Sequence, residues 1–209
     1  MILRLPPQDG ATRLLLIRHL EPDRSVHGRA YGSLDAPLSA LAREQAAKLA
    51  QALDGVHLDA VYASPLRRAL ETATPLAAHR KLVPVVHDGL REIDFGEIEG
   101  SRYEEVEKGR PDFFRSWMSD PTGVSFPGGE SFADLRLRVL AATEEIRARH
   151  RGSGVALVAH GGVTRAIVAA SLSMPDEALF RLDQAYGAVS VVDWLGETPI
   201  LRVLNASVF

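Results

Sequence analysis

Two stretches of this chain run apolar for several residues and then stop on a histidine: LLLIRH at 14–19 and VALVAH at 155–160. A neutral imidazole can attack a phosphorus centre, and the phosphohistidine it forms can then be hydrolysed by water. Arg18 precedes the first histidine, and Arg67 lies in ASPLRR at 63–68. Guanidinium groups stay charged at any working pH and grip phosphate oxygens in pairs. Gly161 and Gly162 follow His160 directly and allow backbone amides to approach a ligand. Such a reaction also needs an acid for the leaving oxygen that later serves as base for water. Four carboxylates in LREIDFGEIEG at 90–100 are candidates: Glu92, Asp94, Glu97 and Glu99. At least two of them read as solvated surface acids. The same two histidines with one carboxylate could instead hold a metal ion for hydrolysis. His27, His57, His79, His87 and His150 follow no such pattern and read as structural or surface residues.

The elements that would mount these groups alternate. Strand-like runs at 13–19, 59–64, 82–87 and 154–160 are separated by helical stretches at 39–53, 66–80, 131–150 and 161–172, the rhythm of a parallel sheet covered by helices. In an open α/β sheet the ligand crevice lies at the carboxyl ends of the strands, which would bring His19 and His160 to one pocket. Ser64 and Pro65 read as the cap and first residue of a helix, with its positive end at the same sheet edge. Residues 89–129 are irregular, with short helical pieces in YEEVEKG and DFFRSWM, and are long enough to form a lid or binding wall. Phe113, Phe114, Trp117 and Met118 either line that wall or form the buried face of a short helix. Ser131 would cap the long helix after it, and AVSVVDWL and PILRVLNA read as an edge hairpin. Residues 1–12, with PPQDG, read as a surface lead-in.

Length favours one domain over 1–209. A composition 46% hydrophobic and 24% charged, with net charge −3, is that of an ordinary globular chain and argues against a general nucleic-acid surface. The absence of cysteine excludes disulfides, thiolate catalysis and cysteine-ligated metal. The first apolar run is too short for a signal core or a membrane span, so a cytoplasmic location and no membrane partner are expected.

Six blocks in order, LIRHLEP, GSLDAPLSALAREQA, ASPLRRALETA, LREIDFGEIEG, FPGGESF and VAHGGVTRA, resemble the histidine phosphatase superfamily, which includes the cofactor-dependent phosphoglycerate mutases. The resemblance implies a three-layer α/β/α sandwich with a mostly parallel sheet. It implies that His19 is the phosphorylated nucleophile, that Arg18, Arg67 and His160 complete the phosphate pocket, and that Glu92 is the general acid and base. Gly161 would add a backbone amide, Arg29 falls where the mutases place a substrate-contacting arginine, and Ser25 falls where many members carry a phosphate-binding asparagine. Two residues depart from the pattern: Leu20 stands in place of glycine, which alters the entrance, and Ser25 is shorter than asparagine. The expected function is phosphomonoester hydrolysis of a small phosphorylated metabolite, closest to the α-ribazole and broad-specificity phosphatase branch, with no metal and no cofactor. Only 67 residues separate Glu92 from His160, which suits an open phosphatase site better than a closed mutase cavity. A phosphoglycerate mutase and a non-enzymatic phosphate-binding module are the alternatives. A homodimer through the final edge strands is a further expectation.

Overall fold

The computed structural model describes residues 10–208. Most of the 1–12 lead-in lies outside them, and Thr12 already belongs to a strand. Six strands form one sheet: β1 (Thr12–Arg18), β2 (Ala60–Ala63), β3 (Val85–Val86), β4 (Gly154–Ala159), β5 (Val189–Leu195) and β6 (Thr198–Ala206). Their order is β3-β2-β4-β1-β5-β6, with β3, β2, β4 and β1 parallel and the β5–β6 hairpin antiparallel at one edge, as the sequence pattern predicts.

Why β1 is apolar without alternation follows from its position in the middle layer. Leu14 and Leu16 pack on one face with α5 (Phe132–Arg149) and α6 (Gly161–Ser171). Leu15 and Ile17 pack on the other with α1 (Ala40–Ala52) and α2 (Arg67–Ala78). A strand buried on both faces has no side left for polar residues. One charged pair does enter this layer: Arg13 donates to Asp193 on β5 through two bonds of 2.7 Å, both side chains being buried. Arg202 adds a 3.4 Å contact to the same carboxylate, and breaking the buried Arg13–Asp193 pair would be strongly destabilising. The pair locks β1 to β5 at the end of the sheet away from the histidines.

Ser131 caps α5 in a reciprocal capping box with Asp134, so the long helix starts where its sequence says it should. The start of α2 is different. Its cap position is Leu66, and Arg67 is its first helical residue, so Ser64 and Pro65 lie in the turn before it. Residues 89–129 hold the two short helices α3 (Tyr103–Gly109) and α4 (Pro111–Ser119) and several turns. Among the predicted surface acids here, Glu97 meets Arg110, whereas Asp94 and Glu99 bind backbone amides. Glu99 gathers amides of Gly32, Ser33, Leu34 and Phe95, tying this segment to the loop after β1. No helix among the described residues is long and apolar enough to cross a membrane.

Candidate active site

Parallel pairing of β1 with β4 sets Arg18 opposite Ala159, and the amide of His19 donates to the carbonyl of Ala159 at 2.8 Å. The next residue on each strand is therefore a histidine, and the two rings meet edge to face with centroids 5.1 Å apart. The connection after β1 leads to α1 on one face, and that after β4 leads to α6 on the other. The histidines thus stand at the topological switch point of the sheet, where such folds open a crevice. Here the crevice is a cavity of about 430 Å³.

Both histidines are buried, and each has one ring nitrogen fixed. Nδ1 of His19 lies 2.7 Å from the carbonyl oxygen of Leu20. A carbonyl only accepts, so Nδ1 carries the proton and Nε2 keeps its lone pair. Burial first, then the charges of Arg68 and Arg18, hold the His19 pKa well below the usual histidine value, so the ring is neutral at pH 7. Nε2 of His160 lies 2.7 Å from the Ser64 hydroxyl, which also accepts from the amide of Leu66 at 3.4 Å. The hydroxyl's own proton is then free for Nε2, leaving Nδ1–H of a neutral His160 as a donor. That Nδ1 is buried with no hydrogen-bond partner among the described residues. Burial first, then the charges of Arg68 and Arg18, keeps this ring neutral too.

The arginines beside the histidines are Arg18 and Arg68. The Arg18 guanidinium donates to the carbonyl of Gln184 and lies 3.9 Å from the ring centre of Tyr186. Tyr186 shares a 2.6 Å hydrogen bond with Tyr31, whose phenol burial raises in pKa, so it stays protonated. Arg68 is fully buried, with its two terminal nitrogens on the carbonyls of Leu34 and Gly32, each at 2.6 Å. The Nε atoms of both arginines are buried and have no partner among the described residues. Two guanidinium N–H groups and one imidazole N–H in want of acceptors form a receptor for an anion.

Arg67 does not belong to this group. Its side chain is about half exposed (55%) and pairs with Glu71 one helical turn on. Successive residues on a helix point about 100° apart, so only one of the adjacent arginines can face inward. Arg68 shares its face with the buried Thr72 and Leu76. The signal was present in the sequence: Glu71 is the i+4 partner of Arg67 and marks the polar face. Ser25 is also outside the cavity, exposed on a turn where its amide binds Asp23. Arg29 does line the cavity and donates to the carbonyl of Gly100 at 2.6 Å.

Leu20 leaves the entrance unobstructed. Its side chain is buried in the core between the sheet and α1 and α2, and its amide donates to Thr72 at 3.1 Å. The residue anchors the loop that carries the Nδ1 acceptor of His19.

Glu92 accepts from the amides of Ile93 and Gly162, both at 3.0 Å, at the N-terminus of α6. A Cβ at Gly162 would lie 2.3 Å from its Oε1, so only glycine lets the carboxylate sit there. Gly161 lines the cavity between Arg18 and Arg165, a residue not singled out from the sequence. Phe95, Phe126, Trp117 and Met118 form part of the outer wall. Phe113 and Phe114 pack behind it against the core, so α4 supplies both wall and buried face. The five remaining histidines have carboxylate or hydroxyl partners away from the cavity. No group of three or more His, Asp or Glu side chains among the described residues is arranged to hold a metal ion.

Residues 14–207 match the family described as histidine phosphatase superfamily (branch 1). Phosphoserine phosphatase 1 of Hydrogenobacter thermophilus is 40% identical over 78% of this chain and 77% of its own. The adenosylcobalamin/alpha-ribazole phosphatase of Escherichia coli is 32% identical over 93% of this chain and 96% of its own. The native structure of mycobacterial glucosyl-3-phosphoglycerate phosphatase superposes with a TM-score of 0.86 at 31% identity, covering 94% of this chain and all of that one. Its complex with inorganic phosphate gives 0.81 at the same identity, over 94% of this chain and 98% of that one. With the paired strand-end histidines and their arginines in place, these similarities identify the chain as a member of the histidine phosphatase superfamily, branch 1, and a phosphatase.

Proposed function

We propose that this phosphatase hydrolyses small phosphomonoesters through a phosphohistidine at His19. The observation that carries the reading is the fixed tautomer of His19: Nδ1–H is held by the Leu20 carbonyl, so the Nε2 lone pair is available between two arginines. In the first step Nε2 attacks phosphorus, the bond from phosphorus to the ester oxygen breaks, and Glu92 passes its proton to the departing alkoxide. The positive charge that develops on the imidazole is stabilised by the Leu20 carbonyl. In the second step Glu92 takes a proton from water, the oxygen attacks phosphorus, the P–N bond breaks, and phosphate leaves. Arg18, Arg68 and Nδ1–H of His160 bind the equatorial oxygens throughout, which is electrostatic stabilisation from groups already in place. Three named relatives act on phosphates of three different alcohols, which supports a shared phosphate end with variable leaving groups. α-Ribazole phosphate is one candidate substrate.

The reading is tested by a screen of phosphorylated metabolites and aryl phosphates with Glu92→Gln beside wild type. The variant should slow alkyl phosphates far more than aryl phosphates, whose leaving groups need little protonation. Equal slowing of both would assign the proton to another group.

A further inference from the structure

The cavity wall holds four arginines, Arg18, Arg29, Arg68 and Arg165, and Glu92 is its one carboxylate among the described residues. A phosphomonoester dianion offsets two of these positive charges, and Arg18 and Arg68 flank the nucleophile to do so. Arg165 stands apart from that work. Its Nε donates to the carbonyl of Leu182 at 2.8 Å, which fixes the guanidinium, yet neither terminal nitrogen has a hydrogen-bond or ion-pair partner among the described residues. The site of a Cβ on Gly161 would lie 3.0 Å from its Nη1 and 3.6 Å from Nε of Arg18, so the two guanidinium groups flank the same glycine. The charges acting on Arg165 are those of Arg18, Glu92 and Asp183. Glu92, which the proposed reaction sets against the leaving oxygen, is held by the amide of Gly162, and Arg165 flanks the neighbouring Gly161, so Arg165 borders the leaving-group side of the cavity. Phe180 lies beside it, ring centre 5.5 Å from the guanidinium carbon, and Phe132 and Leu135 continue the apolar surface.

On the basis of the phosphatase reading above, we infer that the leaving group carries a second anionic group on an apolar body, bound by Arg165, and that an ammonium there is disfavoured. The argument has two sides. A guanidinium held by its Nε alone presents two donors to an acceptor such as a carboxylate. An ammonium would meet the arginines of the wall, while the nearby carboxylates are engaged: Glu92 is bound to two amides and acts in proton transfer, and Asp183, outside the cavity lining, accepts from the Gln184 amide and the Asn205 side chain.

Three aryl esters separate the outcomes: phenyl phosphate, 3-carboxyphenyl phosphate and 3-(aminomethyl)phenyl phosphate, compared by kcat/KM. The ammonium makes its phenol the better leaving group, so intrinsic reactivity opposes the expected order. Wild type should prefer the carboxylate ester to phenyl phosphate by about tenfold or more, the range of a charge-assisted hydrogen bond, and should turn over the ammonium ester most slowly. Arg165→Gln should lower the ratio of carboxylate ester to phenyl phosphate by about the same factor. Equal kcat/KM for all three in wild type, preference for the ammonium ester, or an unchanged ratio in Arg165→Gln would overturn the inference and leave the phosphatase reading standing. Hydrolysis of none of the three would overturn that reading and the inference with it.

Discussion

The inner end of the cavity and its outer wall are built on opposite principles. At the inner end His19, His160 and Arg68 are fully or almost fully buried, and their fixed hydrogen bonds go to main-chain carbonyls or to the Ser64 hydroxyl in the turn between β2 and α2. At the outer wall Met118 and Phe180 are about half exposed, and contacts there are between aromatic and apolar side chains of short helices and turns. Backbone-held polar groups can be positioned closely enough for chemistry, whereas apolar contacts at a rim can be rearranged with little loss. On the proposed reading, reaction type belongs to the strand ends, and leaving-group choice to the outer wall, built by the segment from β3 to α5 together with Arg165 and Phe180.

Substitutions that act on the two ends should separate them. Arg68→Met should lower kcat/KM by about a hundredfold, the usual loss of a donor to transition-state charge, and by a similar factor for every ester tested. Met118→Ala should change kcat/KM by less than about fivefold, with a sign that depends on the ester. A strongly substrate-dependent loss in Arg68→Met would break the distinction. Leu20→Ala should destabilise the fold by about 2–4 kcal/mol in urea denaturation, because a fully packed leucine is truncated. Its specific activity in the folded state should stay near wild type. If Leu20 instead shaped the entrance, activity would change and stability would not.

The smaller effect is on pH. The folded-state pKa values of His19 and His160 lie below the unfolded value of about 6.5. Below that pH the unfolded chain binds more protons than the folded one, so stability is complete above about pH 6.5 and declines as pH falls. Each ring contributes a slope of up to about 1.4 kcal/mol per pH unit. The melting temperature of the ligand-free protein should therefore fall between pH 7 and pH 5.5, and less steeply in His19→Asn. A profile that is flat over this range would contradict the neutral, buried state of both rings.

The layers and the strand ends were legible in the sequence because unbroken apolar runs mean burial on both faces, and the parallel rhythm then brings His19 and His160 to one edge. Glu92 was legible only through its motif; the close approach that requires glycine at 162 joins residues 70 apart in the chain. The resemblance assigns Arg67 to the phosphate pocket from its place at the helix start. The cap at Leu66 and the Arg67–Glu71 spacing instead turn Arg68 to the inner face of the helix. Arg165 lies within the block VAHGGVTRA without being singled out there, and Tyr31 and Tyr186 lie in none of the six blocks. Their positions depend on how the loop before β5 folds over Arg18, with the amide of Gly187 donating to the Arg18 carbonyl at 3.1 Å. Leu20 looked like a disturbance of the site and is a core residue, a distinction that only the direction of its side chain reveals.

The central claim is that His19 Nε2 is the atom that receives the phosphoryl group. Rapid acid-free quenching during turnover of an aryl phosphate, followed by peptide mass spectrometry under alkaline conditions, reads this directly. The account predicts a phosphoryl group on His19 that disappears as substrate is exhausted, with no label in His19→Ala and a loss of about three decades or more in its kcat. A label on His160 or any other residue, or sustained turnover by His19→Ala, would contradict it.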